Sequence, residues 1–269
     1  MGDYLVIKCG GSVLENLPKS FYTNLVELHQ QGTCKPVIVH GGGPLISSLL
    51  TKLNIETTFV DGLRVTSKEV LDVVEMVLSG SVNKKIVENL QKAGGSAYGI
   101  SGVDGGLIQA EPTDHTMKLG FVGDVIHVKT ELIDQILGQN HIPVISPIGM
   151  DGSGQKYNIN GDIAASAVAK ALGAKLCFIS DIPGIYVEEN GVQTTIHELS
   201  KREAEDLIEQ EVITGGMIPK VRAAIDGLTH NVQQVVILNG METNSIHQYL
   251  AGNKIGTKMI ADKEMHQHV

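Results

Sequence analysis

Six short apolar runs recur along the chain, at residues 4–8, 37–39, 97–101, 143–146, 176–180 and 235–238. Helical periodicity fills the intervals, at residues 19–31, 45–53, 68–78, 83–92, 131–137, 163–172, 201–209 and 219–228. Each apolar run reads as a buried strand. Strands alternating with amphipathic helices predict a mainly parallel sheet covered on both faces. With 269 residues the chain is long enough for one large α/β domain or two lobes. The best lobe boundary lies near Gly173, which divides residues 1–173 from residues 174–269.

Two regions break the alternation. Residues 57–60 and 63–66 flank Asp61-Gly62, a dipeptide that favours a two-residue hairpin turn. Residues 107–109 and 121–128 are β-rich and flank a polar stretch at 111–118. The simplest expectation for them is an edge extension of the main sheet; a lid over a site is the alternative. Ser200 with Glu203 forms the sequence pattern of a capping box, and Ser67 is placed to cap the helix from residue 68.

Composition narrows the function classes. The formal charge is −9, from 21 basic and 30 acidic residues, which argues against general nucleic-acid binding. Tryptophan is absent and aromatics are 4%, so base-stacking platforms are not expected. Cys9, Cys34 and Cys177 are widely spaced, with no CxxC and no zinc pattern. They fit a reduced, cytoplasmic protein. No apolar run is long enough to span a bilayer, and the N-terminus lacks a basic-then-apolar signal segment.

Glycine marks the candidate site. The first apolar run opens into Lys8-Cys9-Gly10-Gly11-Ser12, and the second into His40-Gly41-Gly42-Gly43-Pro44. Glycine lets backbone N–H groups approach an anion, and a following helix adds partial positive charge. Neither turn matches GxxxxGK[ST] or GxGxxG, so the P-loop and dinucleotide readings fail, and either turn alone could serve packing only. Asp162 follows Tyr157-Asn158-Ile159-Asn160-Gly161 at a helix start, where an Asp is ordinarily a cap. Gly215-Gly216-Met217-Ile218-Pro219-Lys220 puts a lysine in the first turn of a helix, where it opposes the helix dipole.

Taken in order, these motifs resemble the amino acid kinase superfamily. The matching set is K-x-G-G-S at 8–12, H-G-G-G at 40–43, G-L-R-V-T at 62–66, G-x-V-G at 120–123, N-x-N-x-D at 158–162, S-D-I-P-G-I at 180–185 and G-G-M-x-x-K at 215–220. The resemblance covers residues 4–260 and is closest to the branch whose acceptor is N-acetyl-L-glutamate. It implies an open αβα sandwich of the amino acid kinase and carbamate kinase type. The N-terminal lobe would bind the acyl amino acid and the C-terminal lobe ATP. Lys8 and Lys220 would flank the transferring phosphoryl group, with Asp162 holding both ammonium groups. Backbone N–H groups of Gly10, Gly11, Gly41, Gly42 and Gly43 would bind phosphate oxygens. Arg64 and Asn158 would grip the substrate α-carboxylate. Ser180, Asp181, Gly184, Ile185, Tyr186, Val212, Ile213, Thr214 and Gly216 would line the nucleotide pocket. ATP is the implied co-substrate, with Mg²⁺ held mainly by its phosphates rather than by a protein metal site.

The chemistry of that reaction is consistent with these residues. A glutamate γ-carboxyl group has a pKa of about 4.3, so the nucleophile is already ionised at neutral pH. No base-centred triad is needed, and none is visible. The demand is charge neutralisation between an anion and a polyanion. Related kinases of phosphorylated acceptors suit the G-L-R-V-T motif less well. A carrier-linked aminoadipate kinase, or a sensor of nucleotides or amino acids without turnover, are the alternatives. The resemblance also implies a homodimer formed through helices around residues 68–92. Only Met1-Gly2-Asp3 precedes the first run, so the extra N-terminal helix of arginine-inhibited hexamers is not expected, nor is inhibition by arginine.

Overall fold

A computed structural model describes residues 3–113, 119–189, 192–214, 217–229, 232 and 234–260. Its centre is an eight-stranded sheet built from β1 (Asp3–Cys9), β2 (Cys34–His40), β5 (Ala97–Ser101), β8 (Ile142–Ser146), β11 (Lys175–Ser180), β14 (Glu198–Ser200), β15 (Val235–Asn239) and β16 (Thr257–Ile260). The strand order is β14-β16-β15-β11-β1-β2-β8-β5. Every neighbouring pair is parallel except β15 with β16. All six apolar runs of the sequence are strands of this sheet.

The helices divide between the two faces because strand side chains alternate. Leu5, Ile7 and Cys9 of β1 join one core cluster with buried residues of α2 (Lys19–Gln30), α3 (Gly43–Lys52), α4 (Lys68–Glu75), α5 (Asn83–Lys92) and α10 (Ser245–Leu250). Val6 of β1, with Val37 and Val39 of β2, faces the other cluster, shared with α6 (Glu131–Gly138), α7 (Gly161–Leu172), α8 (Lys201–Glu209) and α9 (Met217–Thr229). A four-residue α1 (Gly11–Leu14) follows β1 directly. The capping box at Ser200 and Glu203 and the Ser67 cap are both present.

Three features refine the expectations. The expected hairpin forms as β3 (Phe59–Val60) and β4 (Leu63–Arg64), with Asp61 at φ 50° and Gly62 at φ 80°, as its tight turn requires. The β-rich regions do not extend the main sheet. Instead β6 (Ile108–Pro112) and β7 (Gly123–Val128) join β9 (Ile148–Met150) and β10 (Lys156–Asn158) in a separate four-stranded sheet, order β10-β9-β6-β7. Of the polar stretch, residues 114–118 lie outside the described residues. The expected break between residues 78 and 83 is absent: Met76–Val82 is a π-helical segment, so residues 68–92 run as one helix. A further hairpin, β12 (Tyr186–Glu189) with β13 (Val192–Thr195), follows β11.

The topology fixes where a site belongs. From β1 the chain moves to β2, out to the edge strand β5 and back to β8 between them, then crosses to β11 on the other side of β1. The strand order therefore reverses between β1 and β11. In open parallel sheets the crevice beyond the strand C-termini at such a reversal is where ligands bind.

Candidate active site

Lys8 and Cys9 close β1 and pair with Phe178 and Ile179 of β11. Just beyond these paired ends stand two lysine–aspartate contacts. Lys8 Nζ lies 2.7 Å from Asp162 Oδ1, with the two side chains 16% and 34% exposed, so the pair is screened but reachable. Lys220 Nζ lies 2.6 Å from Asp181 Oδ1. The Lys220 ammonium holds the Asp181 carboxyl below its ordinary value.

Asp162 is available to Lys8 because another residue caps its helix. Asn160 is the N-cap of α7, and its Oδ1 accepts from the N–H groups of Asp162 and Ile163. The ordinary capping role of an Asp at a helix start is therefore filled, and the Asp162 carboxylate turns to the ammonium. The expectation puts both lysines on Asp162; in this structure Lys8 contacts Asp162 and Lys220 contacts Asp181. Helix α9 packs against β11, whose last residue precedes Asp181, and this carboxylate takes Lys220.

The glycine turns after β1 and β2 touch each other. A Cβ on Gly11 would come within 2.9 Å of Gly42 Cα, and one on Gly42 within 2.8 Å of Leu78 Cδ2. A side chain on Gly11 would drive the turns apart, and one on Gly42 would push the second turn off the helix of residues 68–92. Lys8 Nζ lies 3.7 Å from where a Gly10 Cβ would sit, so the ammonium stands over the first turn. Gly41 donates to the Cys9 carbonyl, which ties the second turn to the end of β1. Gly161 of the α7 start packs on the same place, near Gly41. Gly43 opens α3.

Arg64 and Asn158 meet through Thr66. Arg64 is 7% exposed and donates to Ser47 Oγ (2.8 Å), the Gly43 carbonyl (3.2 Å) and Thr57 Oγ1 (3.4 Å). Its guanidinium also lies over the Phe59 ring, and burial lowers its pKa. These partners are hydroxyls, a carbonyl and a ring; none supplies negative charge. Asn158 Nδ2 donates to Thr66 Oγ1, which itself donates to the Arg64 carbonyl. Gly120, at φ 69°, lets the chain pass Thr66: a Cβ there would stand 2.3 Å from the Thr66 carbonyl oxygen. Three motifs far apart in sequence, at 62–66, 120–123 and 158–162, thus converge on Thr66, which ends the first, meets the second through its backbone and the last through its hydroxyl.

The remaining expected residues cluster past β11. Ser180 is buried, contacts Asp181 Oδ1 and accepts from the Ile182 N–H. Ile185 is buried, with its N–H on Thr257 Oγ1, and Tyr186 opens β12. Gly184 lies against Thr257, where a Cβ would meet Oγ1 at 2.7 Å. Val212 and Ile213 both donate to the Leu207 carbonyl, and Thr214 accepts from Met217. Gly216 falls outside the described residues.

Sequence reasoning missed several supporting groups. Ser47 and Thr57 hold Arg64, but hydroxyls on a helix and beside a hairpin carry no motif of their own. His40 was noticed only as part of a glycine motif. It is fully buried, with its ring between the Gly41 carbonyl and Asn83. Among the described residues no group of three or more His, Cys, Asp or Glu side chains could hold a metal ion, and no helix is long and apolar enough to cross a membrane. All three cysteines are buried and unpaired.

Comparison with known proteins places the chain in a family. The model of the amino acid kinase family matches residues 3–239. An acetylglutamate kinase from Oceanobacillus iheyensis is 49% identical over 265 residues, covering 98% of this chain and 99% of that protein. A crystal structure from Streptococcus mutans superposes with a TM-score of 0.81 at 32% identity, covering 97% of this chain and all of the other. Carbamate kinase from Giardia lamblia bound to AMP-PNP, at 18% identity and a TM-score of 0.67, shares the fold over 97% of this chain and 99% of its own. The chain belongs to the amino acid kinase family, in its acetylglutamate kinase branch.

Proposed function

We propose that the chain transfers the γ-phosphoryl group of ATP to the γ-carboxylate of N-acetyl-L-glutamate, as a step of arginine biosynthesis. The observation that carries this reading is the pair of lysine–aspartate contacts at the ends of β1 and β11, beside two touching glycine turns. They bring two ammonium groups, each held by a carboxylate, and backbone N–H donors to the crevice where the strand order reverses. Phosphoryl transfer needs positioning and charge stabilisation more than covalent help from the protein.

In the reaction a γ-carboxylate oxygen attacks the γ-phosphorus. The bond from that phosphorus to the β,γ-bridging oxygen breaks, and its electron pair leaves with ADP. The product is an acyl phosphate, and no proton need move. Lys8 and Lys220 neutralise the growing charge on the transferring group, each oriented by its own aspartate. The N–H groups of Gly10, Gly11, Gly42 and Gly43 receive phosphate oxygens, while that of Gly41 is spent on the Cys9 carbonyl and holds the turn in place. Arg64, buried without an anionic partner among its contacts, and Asn158 beside it receive the substrate α-carboxylate. Uncompensated buried charge is costly, and a bound carboxylate relieves it. Ser180, Asp181, Gly184, Ile185, Tyr186, Val212, Ile213, Thr214 and Gly216 line the nucleotide side.

This assignment makes residues 1–173 the acceptor half and residues 174–269 the nucleotide half of one continuous sheet. Asp162 and Asp181 are each engaged by a lysine, which fits an Mg²⁺ ion carried by the nucleotide phosphates and supplying further charge neutralisation there. The working unit we infer is a homodimer through the helix spanning residues 68–92.

The test is release of ADP from ATP with N-acetyl-L-glutamate as acceptor, trapped with hydroxylamine as the hydroxamate of the acyl phosphate. Acceptor-dependent ADP with stoichiometric hydroxamate is expected. Turnover only with a carrier-linked aminoadipate would move the chain to that substrate. Binding of both ligands without ADP would make it a sensor.

A further inference from the structure

His40 ends β2 and precedes the second glycine turn, and it is wholly buried. Its two ring nitrogens have different partners. Nδ1 lies 3.1 Å from the Gly41 carbonyl oxygen, and Nε2 lies 3.2 Å from Asn83 Nδ2. The orientation of Asn83 settles which nitrogen carries the proton. Asn83 is itself fully buried, and its Nδ2 also lies 2.9 Å from the Val144 carbonyl and 3.2 Å from the Ile100 carbonyl. Only the amide N–H groups can face two carbonyls, so Nδ2 is a donor. Its Oδ1 accepts from Lys84 Nζ on the other side. Nε2 of His40 is then an acceptor, and the proton sits on Nδ1, which donates to Gly41.

That bond controls more than one carbonyl. A trans peptide holds a C=O and the following N–H in opposite directions. Fixing the Gly41 carbonyl on His40 therefore fixes the direction of the Gly42 N–H. The Gly41 N–H is already committed to the Cys9 carbonyl. The turn is thus pinned at both ends of Gly41, while Gly42 is pressed on Leu78 and Val82 of the π-helical segment. Asn83 follows that segment directly, and Gly99 leaves it room: a Cβ at position 99 would lie 1.8 Å from Asn83 Oδ1.

We infer that His40 and Asn83 are positioning residues for phosphoryl transfer, holding the Gly41–Gly42 peptide so that the turn presents its N–H groups to the transferring phosphoryl group. Neither touches substrate. The inference rests on the kinase reading of the same site. It makes the π-helical segment a buttress of the turn rather than an incidental irregularity, in line with the frequent placing of such segments beside functional sites.

Two substitutions separate positioning from simple packing. The amide nitrogen of asparagine falls where Nδ1 of histidine lies, and the amide of glutamine reaches the place of Nε2, where its Oε1 accepts from Asn83 Nδ2. His40→Asn keeps a donor for Gly41; His40→Gln keeps a partner for Asn83 and loses the donor to Gly41. For His40→Gln we expect kcat to fall ~10–10²-fold with KM for N-acetyl-L-glutamate changed less than about threefold, and for His40→Asn a kcat within about fivefold of the parent. A folded His40→Gln enzyme with parental kcat, or equal losses in both variants, would overturn the inference. If neither variant folds, ¹⁵N shifts of the imidazole in the unaltered enzyme decide. A proton on Nδ1 supports it, and a proton on Nε2 refutes it. Failure of the kinase reading looks different: the unaltered enzyme would form no ADP with the acceptor, whatever the tautomer.

Discussion

In the proposed reaction three residues carry two separable electrostatic tasks. Lys8 and Lys220 act on charge that grows during transfer, so Lys8→Ala or Lys220→Ala should lower kcat by roughly 10²–10³, the cost of losing one such group. KM for N-acetyl-L-glutamate should change far less, and a near-parental kcat in steady-state assays would remove that lysine from the mechanism. Arg64 has a different task. Its fork is already held by Ser47, Thr57 and Gly43, which sets its plane for a carboxylate. A lysine cannot reproduce a fork, so Arg64→Lys should raise KM for acetylglutamate well beyond any change in KM for ATP. An equal rise in both would indicate general damage to the hairpin. His40 also shapes acid stability. Burial, the largest cause, holds its imidazole at about 4, with nearby Lys84 adding to the fall and the Gly41 bond opposing it. The unfolded chain, with a histidine near 6.5, binds the proton more readily. The stability tied to neutral His40 is thus complete above about pH 6.5 and is lost as pH falls through about 4, ~3 kcal/mol in all. Urea midpoints between pH 7 and 4 should decline less steeply in His40→Asn than in the parent; parallel slopes would refute this.

At the level of elements, the site depends on a cap and a crossing. Asn160 frees Asp162 by capping α7 in its place. Asn160→Ala should cost about 1 kcal/mol, the usual value of a lost cap. It should also lower kcat, because a frayed first turn loosens Asp162 from Lys8. Chemical denaturation and steady-state rates measure the two effects, and a loss of stability with unchanged kcat would separate the cap from catalysis. Elements whose periodicity is local were legible in the sequence. The six strands, the capping box and the Asp61-Gly62 hairpin follow from side-chain spacing and turn chemistry within a few residues. What needed distant partners was not. The four-stranded sheet forms because β6 pairs with both β7 and β9, a choice that neither strand's own pattern records. The π-helical segment hides because Ser79, Gly80 and Ser81 read as a break, while Val77, Leu78 and Val82 on either side are buried and keep the helix going. The partner of Lys220 was missed for the same reason: Asp181 lies 39 residues earlier, brought close by α9 crossing β11.

Across the whole molecule, one strand reversal organises everything else. Because β1 lies between β2 and β11, the proposed acceptor and nucleotide sides share a single sheet and meet at its centre. The far edge of the acceptor side is β5, the terminal strand, next to the helix of residues 68–92. An edge strand offers unpaired backbone groups, and proteins ordinarily cover or blunt such an edge. Here Lys84 covers the Gly99 carbonyl of β5, yet two large apolar side chains stay exposed: Met76 on the helix, 57%, and Tyr98 on β5, 50%. A second copy related by a two-fold axis would cover both with the same patch of its partner, and a self-complementary contact of this kind closes at two. Light scattering should therefore give twice the 28.7 kDa of the chain. Met76→Glu with Tyr98→Glu should yield a folded monomer, since both side chains already face solvent within the chain and their loss leaves the core intact. The monomer should also turn over more slowly, because the helix that packs on Gly42 through Leu78 and Val82 belongs to the same surface. A double variant that remains dimeric would place the interface elsewhere, and a monomer with parental kcat would show that assembly does not reach the glycine turn.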